Sequence, residues 1–365
     1  MSLKCGIIGL TNIGKTTLFN CISGNKAQTT NFAFSTNKSN LGMVNVPDDR
    51  LFVLEKMVKA AKVVHATVEI VDIPGLTKGA SKGEGVGNSF LADIRQTDAI
   101  IHVLRCFDDP NLPHIEGSVN PVRDREIIDL ELQIKDLESV EKKLIRTEKL
   151  AKTGDKESIK SVEILKKYIA HFENFQNART LEIDEEALKV VRDLCLLTEK
   201  PVLYVCNVDE KSAITGNHYL DEFKKAVEGE NTEVLVIAAA MEAEIAELES
   251  PEDRIAFLQD VGLTEPGVNK LIRSAFRLLK LKTFFTAGPK EARAWTIKDG
   301  MTAPQAAGVI HSDLERGFIR AEVMKYNDFV ELGSELACKE KGKLSVEGKS
   351  YIVDDGDILN IRFNV

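Results

Sequence analysis

The chain has 365 residues, 43% hydrophobic and 29% charged, with a net charge of −9. That is the composition of a folded, water-soluble protein of two or three domains, and it excludes a disordered chain. The acidic balance argues against broad attraction to nucleic acid or anionic membrane, while leaving room for a local basic patch.

MSLKCGIIGL lacks the apolar length and cleavage site of a signal peptide, and no run of about 18 apolar residues offers a membrane span. The six cysteines are scattered without a CxxC pair, and Cys5, Cys106 and Cys206 lie in apolar strand-like runs, so for these three buried reduced thiols in a cytoplasmic protein are expected. The first hundred residues alternate strand and helix signals. KCGIIGL reads as a strand, KTTLFNCIS as a helix, ATVEIVDIPG as a strand, GNSFLADIRQ as a helix and DAIIHVLRCF as a buried strand. This order predicts an α/β domain with a parallel sheet covered by helices.

After about residue 123 the period changes. Ile127, Leu130, Ile134, Leu137 and Leu144 form one apolar seam, with Glu141 in a skipped position; Ile159, Val162, Leu165, Ile169 and Phe172 form a second. KTGDKES breaks between them. Two amphipathic helices joined by a polar turn predict an antiparallel coiled-coil hairpin at about 123–199, its Lys- and Glu-rich surface either a solvated face or a docking surface. Sheet character resumes in PVLYVCN and TEVLVIAAA, so the hairpin is an insertion into a domain spanning 1–280. Residues 281–365 read as a small separate α+β module. Its strands are TFFTAG, EARAWTI, FIRAEVM and DILNIRFNV, around one helix, APQAAGVIHSDLE. Arg273, Arg277, Lys280 and Lys282 just before it form a basic run that suits either a solvated helix face or phosphate contact.

Chemistry concentrates in GLTNIGKTT, residues 9–17, which fits G-x-x-x-x-G-K-[ST] and lies between a strand and a helix. Gly9 and Gly14 allow a tight loop, and the backbone through Asn12 and Ile13 to Thr17 supplies N–H groups for phosphate oxygens. The helix N-terminus adds a favourable dipole. Lys15 is placed for β- and γ-phosphates, and the Thr16 hydroxyl for Mg2+. VEIVDIPG adds Asp72 for the Mg2+ shell and Gly75, whose N–H meets a γ-phosphate. Thr36, in NFAFSTNKSN, is the candidate that closes over Mg2+ in a triphosphate state. Leu76 stands where many GTPases place a water-orienting Gln, so turnover is slow or another group orients the water. The glycine-rich KGASKGEGVGNSF suits a segment that orders on ligand binding, and equally a passive surface loop.

Taken together, NIGKTTLFN, DIPGL, GASKGEGVGNSFLADIRQTDAIIHVLRCF, HIEGSVNP, NVDE and APQAAGVIHSDLERGFIRAEV make the chain resemble the YchF, or Obg-like ATPase, family over its whole length. The resemblance implies a P-loop NTPase with a Ras-like G domain, the inserted hairpin and a β-grasp-like TGS domain. It implies an ATPase rather than a GTPase, with Asn207 on the base edge and Val208 beside adenine. The chemistry agrees. In NVDE, residues 207–210, Val208 replaces the Lys and Glu210 the Asp of a guanine-reading motif, and that Asp needs a donor pair which adenine lacks. Asn207 can still pair N7 and the 6-amino group. The resemblance also implies that His114 acts on the attacking water, against its reading as a packed loop residue, and that Asn12 helps hold K+, against simple loop hydrogen bonding. Thr11 departs from the family's usual Pro. The implied partner is the ribosome or a subunit, rRNA included, with no membrane and a monomer favoured. Two other readings remain open: a nucleotide-gated ribosome-binding module with incidental turnover, and a GTPase.

Overall fold

The computed structural model describes residues 3–24, 39–75 and 86–364. Thr36, Leu76 and residues 78–85 of the glycine-rich stretch lie outside them. The strands are β1 (Lys4–Ile8), β2 (Asn40–Asn45), β3 (Val63–Val64), β4 (Thr67–Asp72), β5 (Ala99–Arg105), β6 (Val202–Asn207), β7 (Glu233–Ile237), β8 (Leu281–Ala287), β9 (Ala292–Lys298), β10 (Phe318–Lys325), β11 (Leu344–Glu347) and β12 (Asp357–Phe363). The helices up to the hairpin are α1 (Lys15–Ser23), α2 (Asp49–Val58), α3 (Val86–Arg95), α4 (Pro121–Ala151) and α5 (Lys156–Glu173). Then come α6 (Glu185–Val191), α7 (Glu210–Thr215), α8 (His218–Ala226), α9 (Ala239–Glu247), α10 (Pro251–Asp260) and α11 (Gly267–Leu278). The last four are α12 (Ala303–Ile310), α13 (Ser312–Arg316), α14 (Tyr326–Leu332) and α15 (Glu335–Glu340).

The chain divides into two compact units, residues 1–42 with 69–271, and residues 43–68 with 272–365. The boundary read from the sequence at 280/281 thus falls after the start of the second unit, which also takes in a segment from the N-terminal half.

In the first unit the sheet order is β2-β4-β1-β5-β6-β7. Strand β1 runs parallel to β4 and β5, β5 to β6, and β6 to β7. Every residue of β5 and β6 is buried, as expected for apolar runs such as AIIHVLR and VLYVCN in a sheet covered on both faces. Five parallel strands share one direction, so their carboxyl ends, and the loops that follow, open along one edge, where ligands of open α/β sheets bind.

The hairpin forms with its break at 152–155, but the buried stripe of α4 is shifted. Ile128, Leu132, Asp136 and Val140 are buried at four-residue spacing, whereas Leu130 is exposed and Ile127 and Ile134 are half-buried. The first half of α4 lies on β5 and α8 before the helix meets α5. Two surfaces are buried in succession, and a single seam drawn from the period cannot follow both. Leu137 and Leu144 do pack in the hairpin core, with Val140, Leu165, Tyr168, Phe172 and Val191. At its root Asp136, fully buried, accepts from Leu197 N (2.8 Å), Thr198 N (2.8 Å) and Thr198 Oγ1 (2.7 Å). It ties α4 to the chain that leads into β6.

The second unit's sheet runs β11-β10-β12-β8-β9-β3. Its central strands β12 and β8 are parallel, flanked by the antiparallel pairs β10–β12 and β8–β9. Helix α12 buries Ala303, Ala306 and Ala307 against Phe284, Phe318, Val323 and Leu359; small residues let it approach the sheet closely. This is a β-grasp arrangement. The helix expected as one piece breaks at His311, whose extended backbone ends α12 and whose Nδ1 accepts from Asp313 N to start α13. Strand β3 adds to the edge by pairing parallel with β9, an exchange that no local signal in VV announces.

Asp136 yields the first prediction. Burial raises its carboxyl to about 6, outweighing the Thr198 and Leu197 donors that favour the charged form. Between its unfolded value near 4 and about 6 the folded chain holds a proton the unfolded chain has released. This contribution to stability is therefore full at low pH and is lost as pH rises through 6, amounting to about 3 kcal/mol. Asp136→Asn should flatten the urea-midpoint profile across that window. Asp136→Ala, which strands two buried N–H groups, should cost about 2–4 kcal/mol at neutral pH.

Candidate functional site

Residues 9–17 connect the carboxyl end of β1 to α1, with Gly9 directly after the strand. Asn12 sits at φ 57° and Gly14 at φ 93°, both left-handed, so the chain curls and presents successive N–H groups to one side. Ile13 is buried and anchors the loop; Thr17 lies within the first turn of α1. Helices α4 to α8 each start on an Asn or Asp side-chain cap, but α1 starts at Gly14 with no side-chain cap and no acid in its first turn. Its first N–H groups are left for an anion.

Lys15 is 7% exposed, and its Nζ donates to the Leu10 carbonyl at 2.5 Å. Burial lowers its value to about 8, against the pull of Asp72. On the neighbouring strand β4, Asp72, 3% exposed, accepts from Thr16 Oγ1 through Oδ2 at 3.1 Å, while its buried Oδ1 has no hydrogen bond among the described residues. Burial raises the Asp72 carboxyl, opposed by Lys15 and Thr16. A carboxylate oxygen held dry and unpartnered beside a hydroxyl is a donor set suited to a hard divalent cation. Gly75 completes the cluster: a Cβ there would stand 3.0 Å from Lys15 Nζ and 2.8 Å from Thr11 Cγ2.

Asn207 ends β6 and joins three loops. Its Nδ2 donates to Ile13 O and its Oδ1 accepts from Ala239 N, each at 2.9 Å. One N–H and one lone pair remain. The residue thus clamps the phosphate loop to the start of α9, a positioning role that the motif alone does not announce. Val208 is buried, and its N–H donates to Ile237 O at 2.9 Å. Asp209 caps α7 by accepting from Ser212 N (2.9 Å) and Ser212 Oγ (2.7 Å). Glu210 is exposed in the first turn of that helix, where a carboxylate suits the dipole.

His114 is gathered elsewhere, onto the start of α4. Its Nδ1 accepts from Glu116 N at 3.1 Å, and its Nε2 lies 2.9 Å from Asp124 Oδ2, off the line of a good hydrogen bond. Accepting at Nδ1 puts the neutral ring's proton on Nε2, toward Asp124. Asp124 is buried, which raises its carboxyl against the opposing effects of Arg123 and His114. The loop before His114 is held by Arg105, which reading for motifs misses. This buried guanidinium at the end of β5 donates to Phe107 O (3.0 Å) and Leu112 O (2.7 Å) and stacks on the Phe107 ring at 4.7 Å. An Arg closing a strand that is apolar but for His102 was the available signal.

A buried lysine at the mouth of an uncapped helix, with a strand-end carboxylate beside it and five parallel strands behind, defines a P-loop nucleotide-binding α/β protein. Comparison with known proteins narrows that class. Residues 4–149 match a family model described as "50S ribosome-binding GTPase", and residues 281–364 match the model YchF-GTPase_C, described as "Protein of unknown function (DUF933)". The "Ribosome-binding ATPase YchF" of Bacillus subtilis is 50% identical over 367 residues, covering 100% of both chains, and that of Escherichia coli O157:H7 is 47% identical over 365 residues, also covering both completely. The solved structure of the Schizosaccharomyces pombe YchF GTPase superposes with a TM-score of 0.87 at 36% identity, covering 99% of this chain and 98% of that one. The chain belongs to the YchF family.

The Asn207 clamp can be tested without nucleotide. Asn207→Ala leaves Ala239 N–H unbonded and should lower stability by about 1–3 kcal/mol in urea unfolding. Gly14→Ala should be at least as damaging, since a Cβ there would stand 2.4 Å from Asn207 Nδ2 at a φ that L-residues avoid.

Proposed function

We propose that this chain is a Mg2+-dependent ATPase of the cytoplasm that associates with the ribosome or its subunits, and that it acts as a monomeric switch. The observation that carries the reading is the buried Lys15 ammonium facing an uncapped helix start, beside a carboxylate oxygen with no partner. The full-length likeness to relatives named as ribosome-binding ATPases supports the activity and the partner. No helix among the described residues is long and apolar enough to cross a membrane.

Lys15 and the N–H groups of residues 12–17 bind the β- and γ-phosphates. Thr16 and Asp72, joined by Thr36 from outside the described residues, would hold Mg2+, which when bound neutralises phosphate charge. Gly75, without a side chain, lets its N–H approach the γ-phosphate. Hydrolysis places a water oxygen on the γ-phosphorus, and the bond from that phosphorus to the bridging oxygen breaks. Charge grows on the departing oxygen, where Lys15 and the loop amides stabilise it. Asn12, whose backbone is left-handed at φ 57°, is our candidate for a K+ contact. His114 is our candidate for orienting the water. Its Nδ1 accepts from Glu116 N and its Nε2 faces Asp124, so that role requires the loop to release it from the start of α4.

The base preference follows from residues 207–210. The remaining N–H and lone pair of Asn207 match adenine N7 and the 6-amino group. Val208 is buried without a lysine stem, and Glu210 sits in α7's first turn. The names of the relatives divide between ATPase and GTPase, so we rest the preference on these residues. A second reading, a nucleotide-gated binding module with incidental turnover, is favoured by the placement of His114 against Asp124 at the start of α4.

In calorimetry ATP should bind more tightly than GTP, by about tenfold or 1.4 kcal/mol; the reverse order rejects the adenine reading. Lys15→Ala should lower turnover by about a hundredfold or more, and unchanged turnover rejects the phosphate-loop assignment. Lys15 loses its proton near pH 8 when free and regains it beside phosphate, so affinity should be full below pH 8 and fall as pH rises through it. If the switch reading holds, ribosomes should stimulate turnover, and His114→Ala should remove about a hundredfold of it; turnover that ribosomes leave unmoved favours the second reading.

A further inference from the structure

The hairpin's outer end is chemically unlike the rest of the chain. From Lys142 to Lys160 there are seven basic residues and three acidic ones, in a protein of net charge −9. The acids are mostly committed. Asp155 caps α5 by accepting from Ser158 N at 2.9 Å, and Glu148 pairs with Lys166 at 3.1 Å. Lys142 and Lys143 are likewise engaged, with Glu138 and Asp193. Arg146, Lys149, Lys152, Lys156 and Lys160 are exposed, and none has an ion-pair partner among the described residues.

Apolar side chains are exposed alongside them. The hairpin core ends at Leu144 on α4 and Ile164 on α5. Beyond it Ile145 and Leu150 are each 59% exposed and Ile159 is 45% exposed. Helical spacing groups Ile145, Arg146, Lys149 and Leu150 on adjoining faces of α4, and Lys156, Ile159 and Lys160 on one face of α5. A 31-residue helix is about 46 Å long, so the last two turns project well past the packed portion. Nothing in the fold needs these groups where they are.

Charge and composition together select the occupant. A protein interface concentrates its binding energy in Trp, Tyr and Arg anchors, and residues 142–160 contain no aromatic residue and a single Arg. Flexible lysines spaced about one turn apart suit a phosphate backbone approached as a row of point charges. In the basic run of residues 273–282, two of the four cations are engaged within the second unit: Lys282 pairs with Asp299 at 2.7 Å and Arg277 donates to Ser274 Oγ at 2.9 Å.

We propose that the hairpin tip, through Arg146, Lys149, Lys152, Lys156 and the apolar residues between them, is a contact surface for the sugar–phosphate backbone of ribosomal RNA. The proposal rests on the ribosome-association reading above and names the surface and its chemical partner.

The test uses the full chain, wild type and the fourfold variant Arg146→Glu, Lys149→Glu, Lys152→Glu, Lys156→Glu. Co-sedimentation with ribosomal subunits and binding to protein-free ribosomal RNA are followed from about 50 to 200 mM salt. Wild type should show a steep loss of affinity with salt. The variant should bind subunits and RNA at least tenfold more weakly at low salt, with a log–log salt slope shallower by about 3. The milder Lys149→Gln, Lys152→Gln pair should show about half that change, and the basal ATPase rate and circular dichroism should not move in either variant. Equal binding of wild type and variant to subunits overturns the tip assignment and leaves ribosome association standing. Wild type that fails to sediment with subunits overturns both. Weakened subunit binding with no binding of wild type to bare RNA overturns the RNA assignment in favour of a ribosomal protein.

Discussion

An ammonium group kept almost out of water is the constraint around which the first unit is organised. Lys15 is 7% exposed, and among the described residues its hydrogen-bond partner is the Leu10 carbonyl. Burying a charge in this way is unfavourable unless opposite charge or strong donors and acceptors answer it. Asp72 answers it partly from the neighbouring strand, while desolvation disfavours the charged form of that carboxylate in turn. On the reading proposed above, a polyphosphate with its divalent cation would satisfy the ammonium, the Asp72 Oδ1 and the uncapped helix start together. The fold thus accepts electrostatic strain at this place, as at many functional sites.

Keeping that strain in place needs a rigid loop, and Asn207 supplies much of the rigidity. By bonding Ile13 O and Ala239 N it joins the loops after β1, β6 and β7. A residue that reads at first as a base-recognition element is a structural clamp with bonding capacity left over. The arrangement couples these loops physically, because whatever displaces one of them pulls on the same amide. Arg105 does a comparable job for the loop leading to His114, holding it by backbone carbonyls.

The hairpin and the second unit show how far periodicity carries. Both long helices, their polar break and the switch to a smaller α+β region were legible, since apolar spacing and turn residues are local signals. The buried face of α4 was misplaced because the helix packs on β5 and α8 first and on α5 later. Each contact is legitimate, and a single period cannot encode both. Asp136 was missed for the same reason: its acceptors' partners, Leu197 and Thr198, are some sixty residues away. Likewise β3 is two valines long and belongs to a sheet whose other strands begin at residue 281.

At the site, the kinds of side chain brought together were legible in the sequence alone. G-x-x-x-x-G-K-T between a strand and a helix leaves little freedom, because only that backbone path exposes successive N–H groups to phosphate while the lysine folds back over them. Asp72 and the departure from guanine recognition in NVDE were readable in the same way, as types of side chain that a given chemistry requires or forbids. Only the tertiary structure decided what each of these residues touches. It placed His114 against Asp124, turned Asn207 into a clamp, gave Glu210 to a helix start and left the basic charge of the hairpin tip unanswered. These outcomes depend on which distant segments meet, and that is settled by packing and burial over the whole unit, which no local pattern of residues contains.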